Sequence, residues 1–156
     1  MNDTTYNFIT NEIKKLFSND FSGHDYYHTE RVYKNAMAIA DHISCDKEIV
    51  ALAALLHDVD DPKIFSTQNN HNAKQIMKEI NITAKTEAEV ISIINNVSFK
   101  GTGASVPRSI EGKIVQDADR LDALGAIGIA RAFAYGGSHQ RLLHDPCEKT
   151  GLFKSE

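Results

Sequence analysis

The sequence feature that most constrains the fold is an apolar, alanine-rich run that ends abruptly in ionisable residues. Residues 49–56 read IVALAALL and are followed directly by HDVDDPK, which begins with His57 and Asp58. Asp46 is placed to cap the N-terminus of a helix that runs through the apolar segment and ends at His57 or slightly beyond. Burying an unpaired charge is costly, so ionisable groups packed this densely need partners or a metal ion. Imidazole nitrogen beside carboxylate oxygen suits a first-row divalent ion.

Length and composition describe an ordinary globular domain. The chain has 156 residues, 42% of them hydrophobic, and a formal net charge of −4, which gives no support for binding a nucleic-acid polymer. Cys45 and Cys147 lie far apart, outside any metal-type spacing, and the N-terminus lacks the pattern of a signal peptide. No apolar run approaches the roughly 20 residues that span a bilayer. We therefore expect one cytoplasmic domain over residues 1–156 that binds no membrane; its oligomeric state is left open.

Apolar residues recur at helical spacing along the chain, and no segment alternates convincingly as a strand. Residues 100–109 form the clearest loop, and the weakly patterned tail, 138–156, is expected to be mobile. The fold class predicted is therefore all-α, a compact bundle of about six or more helices. Helices are expected over residues 5–17, 25–43, 46–57, 72–80, 84–97 and 110–135, the last continuing its apolar pattern through Leu121 and Leu124, kinking near Gly125 or Gly128, and ending at Gly136-Gly137.

Further ionisable residues lie on two other predicted helices. His28 is near the start of the second helix, where a lone histidine is more often packed or exposed than a ligand. Asp117, Asp119 and Asp122 interrupt an otherwise apolar helix. Asp119 and Asp122 are three residues apart and share a face, whereas Asp117 points elsewhere and is expected to orient a neighbour or a backbone group. Two histidines and two aspartates from three helices would make a compact ion site in a bundle core.

The order His28, His57-Asp58, Asp119 resembles the HD-domain metal-dependent phosphohydrolase superfamily. The stretches GHDxxHxxRV, LLHDxxDxK and DADRLDA, within about residues 23–137, closely resemble one branch of small bacterial HD hydrolases. The family's ligand stands immediately before the arginine, so the resemblance selects Asp119 rather than Asp117. It implies one divalent ion, manganese first, with magnesium, nickel, cobalt or iron as alternatives; whether a second ion binds is left open. The implied ligands are His28, His57, Asp58 and Asp119.

Neighbouring residues have expected roles as well, that of Asp61 from the resemblance and the others from their position beside the proposed ion. Asp61 stands where many relatives carry a catalytic Glu or Asp that positions water or moves a proton; the alternative is that it caps or orients the loop. Lys63 and Arg120 are the leading phosphate contacts, with solvent-facing charge as the alternative. Arg31 would pair with a carboxylate and hold the second helix. His71 is expected at the surface, the alternative being a contact in the cleft or with a second ion.

The function expected is metal-dependent phosphohydrolysis of a small phosphorylated molecule, with a nucleotide as the first candidate. Small relatives of this kind include pyrophosphohydrolases and phosphomonoesterases. Three alternatives remain open. The chain could be a non-catalytic metal- or nucleotide-binding regulatory module, although its intact motifs argue against this. It could be a helical interaction protein without an ion. It could also hydrolyse a cyclic nucleotide or an alarmone, although the flanks of its Ala-Asp-Arg-Leu stretch lack the other alarmone-hydrolase signatures.

Overall fold

A computed structural model describes residues 1–18, 25–62, 64–97 and 106–147. Within these ranges the chain forms seven helices and no strand, which confirms the all-α fold class. None of these helices is long and apolar enough to cross a membrane. The helices are α1 (Asp3–Leu16), α2 (Tyr26–Ala40), α3 (Lys47–Leu56), α4 (His71–Glu79), α5 (Ala84–Val97), α6 (Ile110–Asp122) and α7 (Gly125–Ser138).

Side-chain caps set where the site-bearing helices begin. The Asp46 carboxylate accepts hydrogen bonds from the backbone N–H groups of Glu48 and Ile49, which confirms it as the N-cap of α3. Asp25 accepts one from the backbone N–H of His28 at 2.9 Å. Such caps satisfy N–H groups that have no partner inside the helix. The Asp25 cap thereby fixes His28 in the first turn of α2.

Helix α3 is the centre of the bundle. Every residue from Ile49 to Leu56 is buried, and the helix packs against α2, α5 and α6. A helix that is apolar on all sides is stable in water only when neighbours surround it. The chain therefore enters the polar segment at His57 from inside the core, and His57 and Asp58 are themselves buried.

The long helix predicted from residue 110 is broken into two. Helix α6 ends at Asp122 and α7 begins at Gly125, whose φ of +67° favours glycine. A Cβ at Gly128 would lie 2.0 Å from the Ala123 carbonyl oxygen, so this close approach also requires glycine. The predicted kink is thus a complete interruption.

The predicted end of that segment at Gly136-Gly137 was wrong. Helix α7 continues through both glycines to Ser138. Glycine in a helix interior costs only about 1 kcal/mol relative to alanine, so two glycines need not end a helix. Residues 139–147 follow without regular structure. The expected mobility of the tail stays a prediction.

Candidate metal centre

Three helices bring the four predicted ligands to one place. His28 lies in the first turn of α2, His57 follows the last residue of α3 with Asp58 next to it, and Asp119 lies near the end of α6. Both histidines and Asp58 are buried, and Asp119 is partly exposed. The cluster therefore has a closed inner wall and one side that solvent reaches.

The ligand atoms of these residues face one another. The two Nε2 atoms of His28 and His57 are 3.3 Å apart, and Asp58 Oδ2 lies 3.3 Å from each of them. Asp119 Oδ1 lies 3.4 Å from His28 Nε2 and 3.8 Å from His57 Nε2. Ligand atoms bound about 2.1 Å from a common ion are about 3 to 3.5 Å from each other. The donor set and its spacing therefore fit a single divalent ion.

The outer nitrogens of both imidazoles have partners that leave Nε2 available. His57 Nδ1 lies 2.9 Å from the Ala54 carbonyl oxygen, which can only accept, so Nδ1 carries the proton. His28 Nδ1 lies 2.7 Å from Asp122 Oδ2. Metal-binding histidines generally donate their second ring N–H to a carbonyl or a carboxylate in this way. Both rings thus have the tautomer that a metal ligand needs.

The charges in the cluster shift the pKa of His57. Burial alone lowers it, but the carboxylates of Asp58 and Asp119 and the Ala54 carbonyl outweigh burial and raise the pKa of His57 to about 9. Without a cation between these groups, a proton on His57 is the positive charge that the two carboxylates attract. A divalent ion in the cluster would take that place.

Asp122 is the most important residue whose role the sequence did not reveal. It is buried on α6, and besides His28 it contacts two arginines, Arg31 of α2 and Arg131 of α7. Burial raises the pKa of its carboxyl, but hydrogen bonds from His28 and Arg31 outweigh burial and lower it well below the usual range. The expectation that Arg31 pairs with a carboxylate is confirmed. In the sequence, the position of Asp122 on the same helix face as Asp119 was the one indication of its role. No sequence feature indicated the contact with Arg131.

Asp60 also makes structural contacts that its sequence context did not indicate. Its carboxylate accepts hydrogen bonds from the backbone N–H groups of Asn72 and Ala73 at 3.0 and 2.9 Å, and from the Thr67 hydroxyl at 2.7 Å. Asp60 therefore caps the start of α4 from a distance, and it ties the turn after Asp58 to that helix.

The remaining predicted residues lie around the cluster. Asp61 is partly exposed in the turn that follows Asp58, and its backbone carbonyl accepts hydrogen bonds from the N–H groups of Ile64 and Phe65 at 2.9 and 2.8 Å. Arg120 and Asp117 are exposed, and His71 is exposed at the start of α4. Lys63 lies outside the described residues. Within the ranges that the structure covers, no second group of three or more metal-type side chains accompanies the cluster.

Comparison with known proteins finds a matching family and several similar chains. The family model described as HD domain matches residues 25–124. The uncharacterised protein YpgQ of Bacillus subtilis is 40% identical over 131 residues, which cover 81% of this chain and 63% of YpgQ. The chain thus spans less than two thirds of that curated relative.

Two solved structures are similar to this chain in sequence and in fold. An HD-superfamily hydrolase from Bacillus thuringiensis is 40% identical, with a TM-score of 0.70 over 94% of this chain and 72% of that one. The structure of Bacillus subtilis YpgQ in complex with ADP is 35% identical, with a TM-score of 0.75 over 91% of this chain and 70% of that one.

Proposed function

The chain belongs to the HD-domain family, and from that premise we propose that it is a metal-dependent phosphohydrolase that acts on a nucleotide. The observation that carries the proposal is the convergence of His28 Nε2, His57 Nε2 and Asp119 Oδ1 within 4.8 Å of one another, with Asp58 beside both imidazoles. The ADP complex of YpgQ supports a nucleotide as the substrate class.

Manganese is the ion we propose first, because two carboxylates and two imidazoles suit a divalent ion of intermediate hardness. When bound, such an ion polarises a phosphoryl oxygen and lowers the pKa of water. His28, His57, Asp58 and Asp119 would hold it. The solvent-facing side of the cluster, next to Asp119, is where a phosphate group can approach.

Asp61 is the residue we assign to proton transfer. Asp61 lies three residues after Asp58, in a turn in which its backbone carbonyl accepts two hydrogen bonds, and it is not one of the four proposed ligands. A carboxylate there can orient the attacking water and accept its proton. Arg120 on α6, and Lys63 from the segment after Asp61, would offset charge on the phosphate oxygens.

The test is a hydrolysis screen on purified, chelator-treated protein reloaded with manganese. Nucleoside mono-, di- and triphosphates are supplied separately, and inorganic phosphate and pyrophosphate are quantified as distinct products. Release of pyrophosphate from a triphosphate identifies a pyrophosphohydrolase, and release of phosphate from a monophosphate identifies a phosphomonoesterase. A manganese-loaded protein that hydrolyses none of these substrates contradicts the proposal.

Two variants separate binding of the ion from the chemical step. Asp61→Ala should keep manganese affinity and lose about 10²- to 10⁴-fold in kcat, the usual contribution of a general acid or base. Asp58→Ala should lose manganese binding and activity together, because it removes an oxygen that lies against both imidazoles. An Asp61→Ala variant that retains full kcat would leave Asp61 with only its turn-forming role.

A further inference from the structure

We infer that Asp122, clamped by Arg31 and Arg131, is the positioning residue that fixes the tautomer of His28, and that Arg131 links α7 to the metal centre in this way. The inference rests on the proposed function only in treating the cluster as an ion site. It concerns binding of the ion rather than hydrolysis, so the two proposals can fail separately.

The contact between Asp122 and His28 is direct and buried. Asp122 Oδ2 lies 2.7 Å from His28 Nδ1, and the side chains of both residues are at most 3% exposed. A carboxylate only accepts hydrogen bonds, so Nδ1 must donate and its proton cannot reside on Nε2 of the neutral ring. Asp122 thereby leaves the Nε2 lone pair directed at Asp58, Asp119 and His57.

Two arginines from different helices hold the carboxylate in place. Arg31 donates from Nε to Asp122 Oδ1 at 2.6 Å and from Nη2 to Oδ2 at 3.1 Å. This two-pronged contact fixes the plane of the carboxylate as well as its position. Arg31 lies three residues after His28 on α2, so one face of that helix carries both the ligand and the clamp.

Arg131 completes the clamp from α7. Its Nη1 donates to Asp122 Oδ2 at 3.1 Å and lies 3.2 Å from His28 Nδ1. Its side chain is 19% exposed, although α7 has no buried residue within the described ranges. A helix that is otherwise at the surface therefore places one cation against the residue that orients a metal ligand.

Arg131 lies close enough to His28 Nδ1 to influence the tautomer of this ring when Asp122 is removed. An arginine N–H can only donate, so without Asp122 the Arg131 N–H group near Nδ1 would favour this nitrogen as an acceptor. The neutral ring would then carry its proton on Nε2, which faces the cluster and would no longer be able to bind the ion. Removing Asp122 should therefore switch the tautomer, and removing Arg131 as well should partly undo the switch.

Manganese affinity of the chelator-treated full chain is the first measurement. Asp122→Ala should weaken binding about 10- to 100-fold, the usual effect of removing the partner of a ligand histidine. Asp122→Asn, which keeps an accepting oxygen, should lose less. Asp117→Ala is the matched control, because it removes an exposed aspartate from the same helix and should leave affinity unchanged. The double variant Asp122→Ala with Arg131→Ala should bind more tightly than Asp122→Ala alone.

The tautomer of His28 is the second measurement, made by ¹⁵N NMR on the metal-free protein with the imidazole neutral. The Nδ1–H tautomer should dominate in the wild type and in Asp122→Asn, and the Nε2–H tautomer in Asp122→Ala. Wild-type protein in the Nε2–H form, or an Asp122→Ala variant that binds manganese within about twofold of wild type, overturns the inference. If Asp122→Ala does not fold, Asp122→Asn and Arg131→Ala carry the test through manganese affinity, and an unaltered affinity in both variants overturns the inference as well.

The two proposals remain distinguishable. Wild-type protein that binds manganese and shows the expected tautomer, yet hydrolyses nothing, removes the proposed activity and keeps the role of Asp122. Full hydrolytic activity together with unaltered manganese affinity in Asp122→Ala removes the role of Asp122 and keeps the proposed activity.

Discussion

Helices α3 and α7 have similar amino-acid character and opposite surroundings. Both are rich in alanine and other apolar residues, but α3 is buried from Ile49 to Leu56 whereas α7 has no buried residue. Ile129 and Phe133 of α7 are 61% and 51% exposed. The difference lies in the neighbours, because α3 packs between α2, α5 and α6 while α7 packs mainly against α6. Apolar composition alone therefore does not determine which helix forms the core.

The contrast also separates two ways of holding a functional side chain. His57 is placed by the dense packing of α3, since a close-packed interior leaves its last turn little freedom. Arg131 is placed by its charged contacts with Asp122, which act on a helix that packing holds only weakly. We therefore expect changes in α3 to alter global stability, and changes in α7 to act on the metal centre with little effect on stability.

The largest expected effect tests this contrast directly. Leu55→Ala in α3 should lower the free energy of unfolding by about 3 kcal/mol, because it removes buried methyl groups and leaves a cavity. Ile129→Ala in α7 should change it by less than about 0.5 kcal/mol, since its side chain is largely in water. Urea unfolding followed by circular dichroism measures both variants. Equal losses in the two helices would show that α7 belongs to the same packed core as α3.

A smaller effect is expected in the pH dependence of the free energy of unfolding, because His57 at the end of α3 titrates differently in the folded and unfolded chain. In metal-free protein the pKa of His57 is raised from 6.5 to about 9, so the folded state holds this proton more tightly than the unfolded chain. The resulting stabilisation is fully present below pH 6.5 and is lost as the pH rises through about 9. Urea unfolding in the presence of a chelator, from pH 6 to pH 9.5, should show this decline.

The control for that experiment is His57→Gln, whose stability should vary less over the same window because it lacks the titrating group. Bound manganese should reverse the trend, since the ion and the proton compete for Nε2 and the ion gains as the pH rises. A wild-type stability that stays constant across the window without metal would mean that the carboxylates do not hold a proton on His57.

The sequence predicted those parts of the molecule that depend on local pattern. Helix α5 begins and ends where its apolar spacing indicated, and the structure brings together the four motif residues assigned to one ion. Local pattern failed at the end of α6, where Leu121 and Leu124 continue the apolar spacing yet are 49% and 66% exposed. The backbone leaves the helix at Ala123, so helical spacing no longer predicts which side chains face the core beyond this point.

The contacts of Asp122 show why the rest could not be predicted. Helical spacing placed Asp122 on the face of Asp119, but its carboxylate meets His28 and Arg31, which are 94 and 91 residues away in sequence. Those contacts depend on how α2 packs against α6, and such packing follows from the whole core rather than from any single motif. The same holds for Arg131, whose approach depends on the turn at Gly125.

The smallest expected effect concerns a buried polar side chain on α6, Gln116. Gln116 lies on α6 three residues before Asp119, and its buried side-chain nitrogen has no hydrogen-bond partner within the part of the chain that the structure describes. A buried donor without a partner costs about 1 to 3 kcal/mol, so Gln116→Met, which keeps the length of the side chain, should raise the free energy of unfolding by about 1 kcal/mol. Gln75→Met is the control, because Gln75 is exposed on α4 and its change should alter stability by less than about 0.5 kcal/mol. A Gln116→Met variant whose free energy of unfolding is unchanged or lower would contradict this prediction.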